Sequence, residues 1–129
     1  MKIKKVDFEK INDTLYVSGK SSTVDMGYLG GFLAYDVGCK NIDSWKEWIN
    51  DPKSESVSSN YSHLEKKGNK INIYWEYDYF EHEEEAESFE TTVEQLNYIL
   101  ARWKEVCEKK PKKVIITRDG DKVTVETKN

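Results

Sequence analysis

The chain has 129 residues, of which 34% are charged, 37% hydrophobic and 12% aromatic, and its formal net charge is −4. This length and apolar content suit one domain with a single core, and no apolar run approaches the roughly 18 residues of a membrane-spanning helix. The basic start is not followed by the apolar segment of a secretory signal. We therefore expect one domain over residues 1–129, located in the cytoplasm and not in a membrane.

The chain contains two cysteines. Cys39 and Cys107 are too few for a disulfide framework and do not form a Cys-x-x-Cys pair. Cys107 also falls on the apolar side of a predicted helix, where a free cysteine behaves as a small hydrophobic residue. We therefore expect Cys107 to be a structural core residue.

The first predicted element is a hairpin over residues 2–19. Val6 and Phe8 alternate with charged residues, and Asn12 with Asp13 offers a two-residue turn. A turn of that length would place Phe8 opposite Val17, with both side chains on the core face.

The apolar run over residues 31–37 predicts a central strand. It is too continuous for an edge strand and too short for a buried helix. The nearby glycines Gly30, Gly31 and Gly38 lack the spacing of a phosphate-binding loop, so we interpret them as points of backbone freedom at a bulge or turn.

A short helix is predicted after Asn41, which can cap it, although Ser44 with Glu47 offers a second capping choice, and Pro52 disfavours its continuation. Its apolar face would contain Ile42, Trp45 and Ile49, with Trp48 beside them. We expect both tryptophans to pack on the sheet; the alternative is that Trp48 helps to form a partner-binding surface.

The following hairpin turns within residues 66–70. A two-residue turn would bring Ser62 and Asn60 to the face of two core residues, so we expect a three-residue loop at residues 67–69. That loop would give three cross-strand pairs: His63 with Ile73, Tyr61 with Trp75, and Val57 with Tyr79.

Residues 71–80 predict one long aromatic strand, because side chains of a strand alternate between two faces. The core-like face contains Ile71, Ile73, Trp75, Tyr77 and Tyr79. The other face combines rings with carboxylates, namely Asn72, Tyr74, Glu76, Asp78 and Phe80. Residues 71–101 hold nine acidic residues and no Lys or Arg. A local charge of one sign attracts an oppositely charged partner, which favours a basic protein and disfavours nucleic acid.

The longest predicted helix covers residues 92–110. Thr91 and Glu94 have the spacing of a capping box, and Pro111 ends the helix. Three- and four-residue spacing produces one apolar face, which consists of Phe89, Val93, Leu96, Leu100, Trp103 and Cys107.

The chain closes with a hairpin whose predicted turn is Asp119-Gly120. This register sets Val114 opposite Val125 and Ile116 opposite Val123. The order of elements predicts an α+β domain with a six- to seven-stranded antiparallel or mixed sheet and two helices on one face.

No residue pattern identifies a catalytic centre. His82 begins an H-E-x-x-H motif that lacks the second histidine, and the acidic run lacks the spacing and central glycine of an EF-hand loop. His63 could act as a general base with Glu76 or Asp78, but its expected position beside Ile73 favours a buried structural histidine. We expect no catalytic residue, no metal site and no cofactor.

Three segments carry a resemblance to a family: YDYFEHEEE at residues 77–85, SFETTVEQLNYILARW at residues 88–103, and the closing hairpin at residues 114–125. The chain resembles the immunity proteins of bacterial polymorphic toxins and of contact-dependent growth inhibition toxins. The resemblance implies a protein that binds a cognate toxin and occludes its active site, often that of a nuclease with a basic surface. Its carboxylates would replace phosphates and its rings would act as anchors.

In this interpretation the partner-binding residues are Tyr74, Glu76, Asp78, Phe80, Glu81, Glu83, Glu84, Glu85 and Glu87. Two other interpretations remain. One is a small enzyme or ligand-binding domain with a pocket between the sheet and the Trp45/Trp48 helix, and the other is a solvated acidic loop with no partner. A concave pocket would favour the enzyme, whereas a convex acidic face would favour the binding protein.

Overall fold

The computed structural model describes residues 3–11, 15–82 and 85–129. Within these ranges the protein is α+β, as the sequence predicts, but its strands form two four-stranded antiparallel sheets instead of a single larger sheet. The first sheet has the order β2-β1-β7-β8, with β1 at Ile3–Ile11, β2 at Leu15–Ser21, β7 at Lys113–Asp119 and β8 at Lys122–Lys128. The second has the order β3-β4-β5-β6, with β3 at Ser56–Ser58, β4 at Ser62–Lys67, β5 at Lys70–Trp75 and β6 at Phe89–Thr92.

The helices connect the two sheets. They are α1 at Val24–Gly31, followed directly by a π-helix at Phe32–Val37, then α2 at Ile42–Asn50, α3 at Glu76–Glu81 and α4 at Val93–Lys109. Helix α1 contacts β1 and β2 of the first sheet and β5 and β6 of the second, and α4 contacts β6 and β8. Helix α2 packs against α4, so the predicted arrangement of two helices laid on one face of one sheet is wrong.

The buried apolar side chains form one core to which both sheets and the helices contribute. The first sheet provides Val6, Phe8, Val114 and Ile116, and the second provides Leu64, Ile71, Ile73 and Phe89. The rings of Phe8 and Trp103 lie 5.1 Å apart, which ties the first sheet to α4. The helices that cover the apolar face of one sheet therefore also contact strands of the other sheet.

The predicted strand over residues 31–37 is wrong, because this run is the end of α1 and the π-helix. Met26, Leu29, Leu33 and Val37 are buried at three- and four-residue spacing. A helix that is surrounded by core loses the polar face that would reveal its period, so the apolar run alone does not separate a helix from a strand. Gly38, with φ of 52°, follows the π-helix in the left-handed region.

The predicted aromatic strand is also shorter than expected. Strand β5 ends at Trp75, and α3 begins at Glu76. Ile71 and Ile73 are buried as predicted, but the side chains of Trp75 and Tyr77 are 38% and 60% exposed. The change from strand to helix at residue 76 breaks the two-residue alternation on which the prediction rested.

All three predicted hairpins exist, but with different registers. In the first, Phe8 lies opposite Ser18 and not Val17, and the predicted turn at Asn12 and Asp13 lies outside the described residues. In the last, Ile116 pairs with Val125, two residues from the predicted register, so the same faces are kept.

The middle hairpin has a two-residue turn, Gly68-Asn69, and not the predicted three-residue loop. Leu64 lies opposite Ile73 and is fully buried, whereas His63 pairs with Tyr74. The three predicted cross-strand pairs are therefore wrong. The prediction assumed that His63 is the core residue of β4. Leu64 takes that position instead, because its side chain is entirely apolar and can be buried without a polar partner, and this fixes the register.

The ends of the two longer helices follow the sequence closely. Asn41 precedes α2, and Ile42, Trp45 and Ile49 are buried as predicted. In α4 the capping side chain is Thr92, whose hydroxyl accepts from the Gln95 backbone N–H at 3.1 Å, so the predicted cap at Thr91 is wrong by one residue. No helix in the described ranges is long and apolar enough to cross a membrane.

Cys39 and Cys107 form a disulfide, so the prediction of Cys107 as a free core cysteine is wrong. Their Cα atoms are 5.7 Å apart although 68 residues separate them in sequence. The bond joins the segment after the π-helix to the last turns of α4. Sequence spacing does not reveal it, because only the packing of the π-helix region and α4 brings the two residues together.

Candidate partner-binding surface around helix α3

Helix α3 is attached to the second sheet by hydrogen bonds at its start and middle. The Glu76 backbone N–H donates to the Tyr61 carbonyl at 2.9 Å, and the Tyr79 hydroxyl donates to Glu65 Oε2 at 2.9 Å. The helix presents Tyr77 and Phe80 to solvent, with 60% and 63% of their surface exposed. Large rings exposed to this extent beside carboxylates are typical of an interaction surface.

The structure brings most of the predicted partner-binding residues to this helix and to the chain on either side of it. Phe80, Glu81, Glu85 and Glu87 are exposed, and Tyr74, Glu76 and Asp78 are half-buried. Glu83 and Glu84 lie outside the described residues. The predicted residues do not share one face of a strand, because Tyr74 of β5 and Phe80 of α3 contact His63 whereas Asp78 contacts Tyr28.

On the first side, His63 lies under the helix. Its ring stacks on Tyr79 at 4.0 Å between centroids and contacts Phe80 at 5.6 Å and Tyr74 at 6.2 Å. His63 Nδ1 lies 2.8 Å from Ser58 Oγ. The residue is only 7% exposed, so the expectation of a buried histidine is confirmed, although it lies beside Tyr74 and not beside Ile73.

The carboxylate nearest to His63 is Glu65, not Glu76 or Asp78 as considered from the sequence. His63 Nε2 lies 3.7 Å from Glu65 Oε2, the same oxygen that accepts from Tyr79. Residues 63 and 65 share a face of β4, and that two-residue spacing is the signal by which Glu65 could have been found. Because aromatic rings surround the His63 imidazole, the histidine and the side chains that contact it hold α3 on the second sheet.

Tyr74 belongs to the same group of side chains. Burial raises the pKa of its hydroxyl above the ordinary value, and the nearby Glu65 carboxylate raises it further. The hydroxyl therefore stays protonated at neutral pH and can donate a hydrogen bond. Tyr74 is thus a neutral, half-buried ring at the edge of the surface and not an acid-base group.

On the second side, Asp78 faces Tyr28 of α1. The Tyr28 hydroxyl donates to Asp78 Oδ2 at 3.4 Å. Burial, then the charges of Asp78 and Glu87, raise the pKa of Tyr28 to about 12. Two predicted partner-binding carboxylates, Asp78 and Glu87, are therefore close enough to act on the same hydroxyl.

Four further aromatic side chains, one of which directly precedes Asp78 in sequence, were not predicted to form a site. We call them the aromatic row: Tyr35, Tyr61, Trp75 and Tyr77. Consecutive ring centroids are 5.4, 6.4 and 5.1 Å apart. The sequence assigned Trp75 and Tyr77 to the core and gave no role to Tyr35, because the row is assembled from four separate elements.

The pocket that would favour an enzyme was expected between a sheet and the Trp45/Trp48 helix. There the Trp45 ring packs edge-on against Phe32 at 4.9 Å, and its indole N–H donates to the Asp36 carbonyl at 3.3 Å. A surface cleft of about 400 Å³ lies elsewhere, between the second sheet, the start of α4 and the turn after β7. His63, Glu76 and Asp78 are not among its lining residues, which are Lys70, Ile71, Asn72, Glu90, Thr91, Thr92, Gln95, Arg118 and Asp121.

In the part of the chain that the structure describes, no three His, Cys, Asp or Glu side chains are grouped so that they could hold a metal ion. Comparisons of this chain with protein-family models, with curated proteins and with solved structures found no match.

Proposed function

We propose that this protein is a binding protein that neutralises a basic protein partner through the surface around α3, as an immunity protein neutralises its cognate toxin. The observation that carries the proposal is the exposure of Tyr77 and Phe80 on a short helix among carboxylates. Exposed rings supply anchors that lose water on binding, and the carboxylates attract a positively charged surface. A nuclease domain is a suitable partner, because its phosphate-binding surface is basic.

The charge distribution supports a protein partner and not nucleic acid. Residues 71–101 contain nine acidic residues and no Lys or Arg. Five of these acidic residues lie on α3 or close to it in sequence: Glu76, Asp78, Glu81, Glu85 and Glu87. Phosphates would be repelled by this surface, whereas Lys and Arg side chains would be attracted. The proposed action is occlusion, which requires affinity and no chemistry at the surface.

A cytoplasmic location belongs to the same proposal, since an immunity protein meets its toxin inside the cell. The Cys39–Cys107 disulfide weighs against that location, because cytosolic thiols are normally kept reduced. Alkylation of free thiols in cell extracts, followed by mass measurement, distinguishes a cytoplasmic location from an oxidising compartment. A fully alkylated chain supports the cytoplasm, and an unmodified chain supports an oxidising compartment.

Charge reversal tests the proposal. The triple variant Glu76→Lys, Glu81→Lys and Glu85→Lys changes the formal net charge from −4 to +2, since each reversal adds two. We expect its association with the separately expressed product of the neighbouring gene to slow by about tenfold or more, with a weaker dependence on salt. Binding kinetics at several salt concentrations measure both effects.

The matched control carries the same change in net charge elsewhere. Glu9→Lys, Glu108→Lys and Glu126→Lys alter exposed residues of β1, α4 and β8. We expect this control to bind within about twofold of the unchanged protein, because its changes lie on β1, α4 and β8 and not on α3 or the chain beside it, and exposed charges away from an interface are screened by salt. An equal loss in both triple variants, or no basic partner at all, would contradict the proposal.

A further inference from the structure

The aromatic row is an exposed platform built from four elements. Tyr35 comes from the π-helix, Tyr61 from the segment before β4, Trp75 from the end of β5 and Tyr77 from α3. Tyr35, Trp75 and Tyr77 are 51%, 38% and 60% exposed. The planes of Tyr61 and Trp75 are inclined by only 27° and those of Trp75 and Tyr77 by 38°, whereas those of Tyr35 and Tyr61 are inclined by 51°.

The middle of the row is held in place by buried groups. The Tyr61 backbone N–H donates to Asp36 Oδ1 at 3.0 Å, and Asp36 is only 3% exposed. The Tyr61 ring lies directly on the backbone of Gly31, where an added Cβ would be 2.1 Å from a ring carbon. A platform fixed in advance loses little conformational entropy when a ligand binds.

The segments that supply the rings of the aromatic row contain no positive side chain of their own. These segments are residues 21–39, 54–65 and 71–101, and they contain no Lys or Arg. The Tyr28 hydroxyl donates to Asp78 Oδ2 at 3.4 Å, and Asp78 directly follows Tyr77 of the row in sequence. Rings and carboxylates thus adjoin each other, with no cation from these segments to neutralise them.

We infer that the aromatic row binds an arginine side chain of the basic partner. A guanidinium is planar and weakly hydrated, so it stacks on aromatic faces while its N–H groups donate to a carboxylate such as that of Asp78. A lysine ammonium is more strongly hydrated and has no flat face to stack. This inference rests on the proposed function and adds a second contact region, which names the residue type that the partner must present.

The test uses three capped peptides, Gly-Ser-Arg-Gly-Arg-Ser-Gly and its counterparts with lysine or citrulline in place of arginine. Indole N–H signals in ¹H–¹⁵N spectra report the site, because Trp75 belongs to the row whereas the Trp45 and Trp103 indoles donate to the Asp36 and Gly38 carbonyls. We expect the arginine peptide to shift the Trp75 signal and to bind about three to five times more tightly than the lysine peptide. The citrulline peptide, which lacks the charge, should bind more weakly than either.

Variants of the exposed rings separate binding from folding. Tyr35→Ala and Tyr77→Ala should each weaken the arginine peptide by about threefold or more, whereas Tyr77→Phe, which keeps the ring, should retain binding. Tyr98→Ala is the matched control, because Tyr98 is a 42% exposed tyrosine of α4 outside the row. Equal binding of the arginine and lysine peptides, or unchanged binding in both alanine variants, would overturn the inference. Concentration-dependent shifts of Trp75 without peptide would also overturn it, since a second copy would then cover the row.

The two proposals fail in different ways. If the arginine peptide binds to the aromatic row but no basic protein partner is found, the inference about arginine is supported and the proposed function is contradicted. If a basic partner is captured in a way that depends on Glu76, Glu81 and Glu85 but not on Tyr35 or Tyr77, the proposed function is supported and the inference about arginine is contradicted.

Discussion

The ring of Tyr61 rests on Gly31 in a contact that leaves no room for a side chain. An added Cβ would lie 2.1, 2.5 and 2.6 Å from three atoms of the ring. Because the ring is rigid and its backbone is bonded to buried Asp36, relief requires a shift of the platform or of α1. The absence of a side chain at residue 31 therefore determines where the middle of the aromatic row lies.

We expect Gly31→Ala to destabilise the protein by about 1–3 kcal/mol, the usual cost of overpacking. Gly27→Ala in the same helix is the control, because its Cβ would meet only the Ser21 side chain, at 3.1 Å from Oγ. That hydroxyl can rotate, and alanine has the better helix propensity, so the control should be neutral or slightly more stable. Chemical denaturation measures both, and equal effects at the two positions would contradict the packing argument.

Tyr28 gives a pH dependence that can be assigned to one hydroxyl. Its pKa is about 12 in the folded protein against the ordinary value of 10.0. Between these two values the unfolded chain has lost the proton that the folded chain keeps, so stability falls as the pH rises. Below about pH 10 both states hold the proton, and this group has no effect.

We expect Tyr28→Phe to lose less stability than the unchanged protein as the pH is raised from 10 to 12. The comparison between the two proteins cancels the lysines that titrate in the same range. Urea denaturation at a series of pH values measures the difference. Parallel pH profiles would show that burial and the charges of Asp78 and Glu87 do not raise the pKa of Tyr28.

Among the elements, the π-helix has the widest influence on the surface. It places Tyr35 in the exposed row while Phe32, Leu33 and Val37 remain in the core. It also contributes the buried Asp36, whose carbonyl accepts from Trp45 and whose carboxylate accepts from the Tyr61 backbone. The π-helix thus bonds to α2 and to the segment before β4, and it supplies one ring of the aromatic row.

The disulfide connects the end of this π-helix region to α4. We expect reduction, or the double variant Cys39→Ser and Cys107→Ser, to cost about 2–4 kcal/mol, because the cross-link restricts the unfolded chain. Thermal unfolding with and without a reductant measures the loss in the unchanged protein. The double variant is the control, since a reductant should not affect it. An unfolding temperature that is insensitive to reductant would contradict a structural role for the bond.

At the scale of the whole molecule, the two sheets share one core. Phe8 of the first sheet contacts Trp103, and α1 contacts strands of both sheets. Neither sheet can separate from the helices without exposing buried apolar surface that belongs to the other. We therefore expect the two sheets to unfold as one unit.

We expect a single cooperative unfolding transition with the disulfide intact. The far-ultraviolet circular dichroism and tryptophan fluorescence curves should coincide, and the calorimetric and van't Hoff enthalpies should agree. The fluorescence reports the surroundings of the four tryptophans, which lie on α2, β5 and α4, whereas the dichroism reports all elements. Two separated transitions would show that one sheet unfolds independently.

Some features follow from the local sequence because local chemistry and the fold agree. Asn41 and Pro52 bound α2, Pro111 ends α4 to within a residue or two, and each predicted hairpin is present. The acidic segment is another such feature, since residues 71–101 hold nine acidic residues without a Lys or Arg. Caps, breakers and charge runs act over a few neighbouring residues, so they can be read without a structure.

Only the tertiary structure decided the division into two sheets, the helical state of residues 32–37 and 76–81, the hairpin registers and the disulfide. These depend on contacts between residues far apart in sequence. Leu64 and not His63 fixes the register against Ile73, and the core surrounds the π-helix so that its period is hidden. The aromatic row exists for the same reason: its four rings come from four elements, and packing around Gly31 and Asp36 is what brings them together.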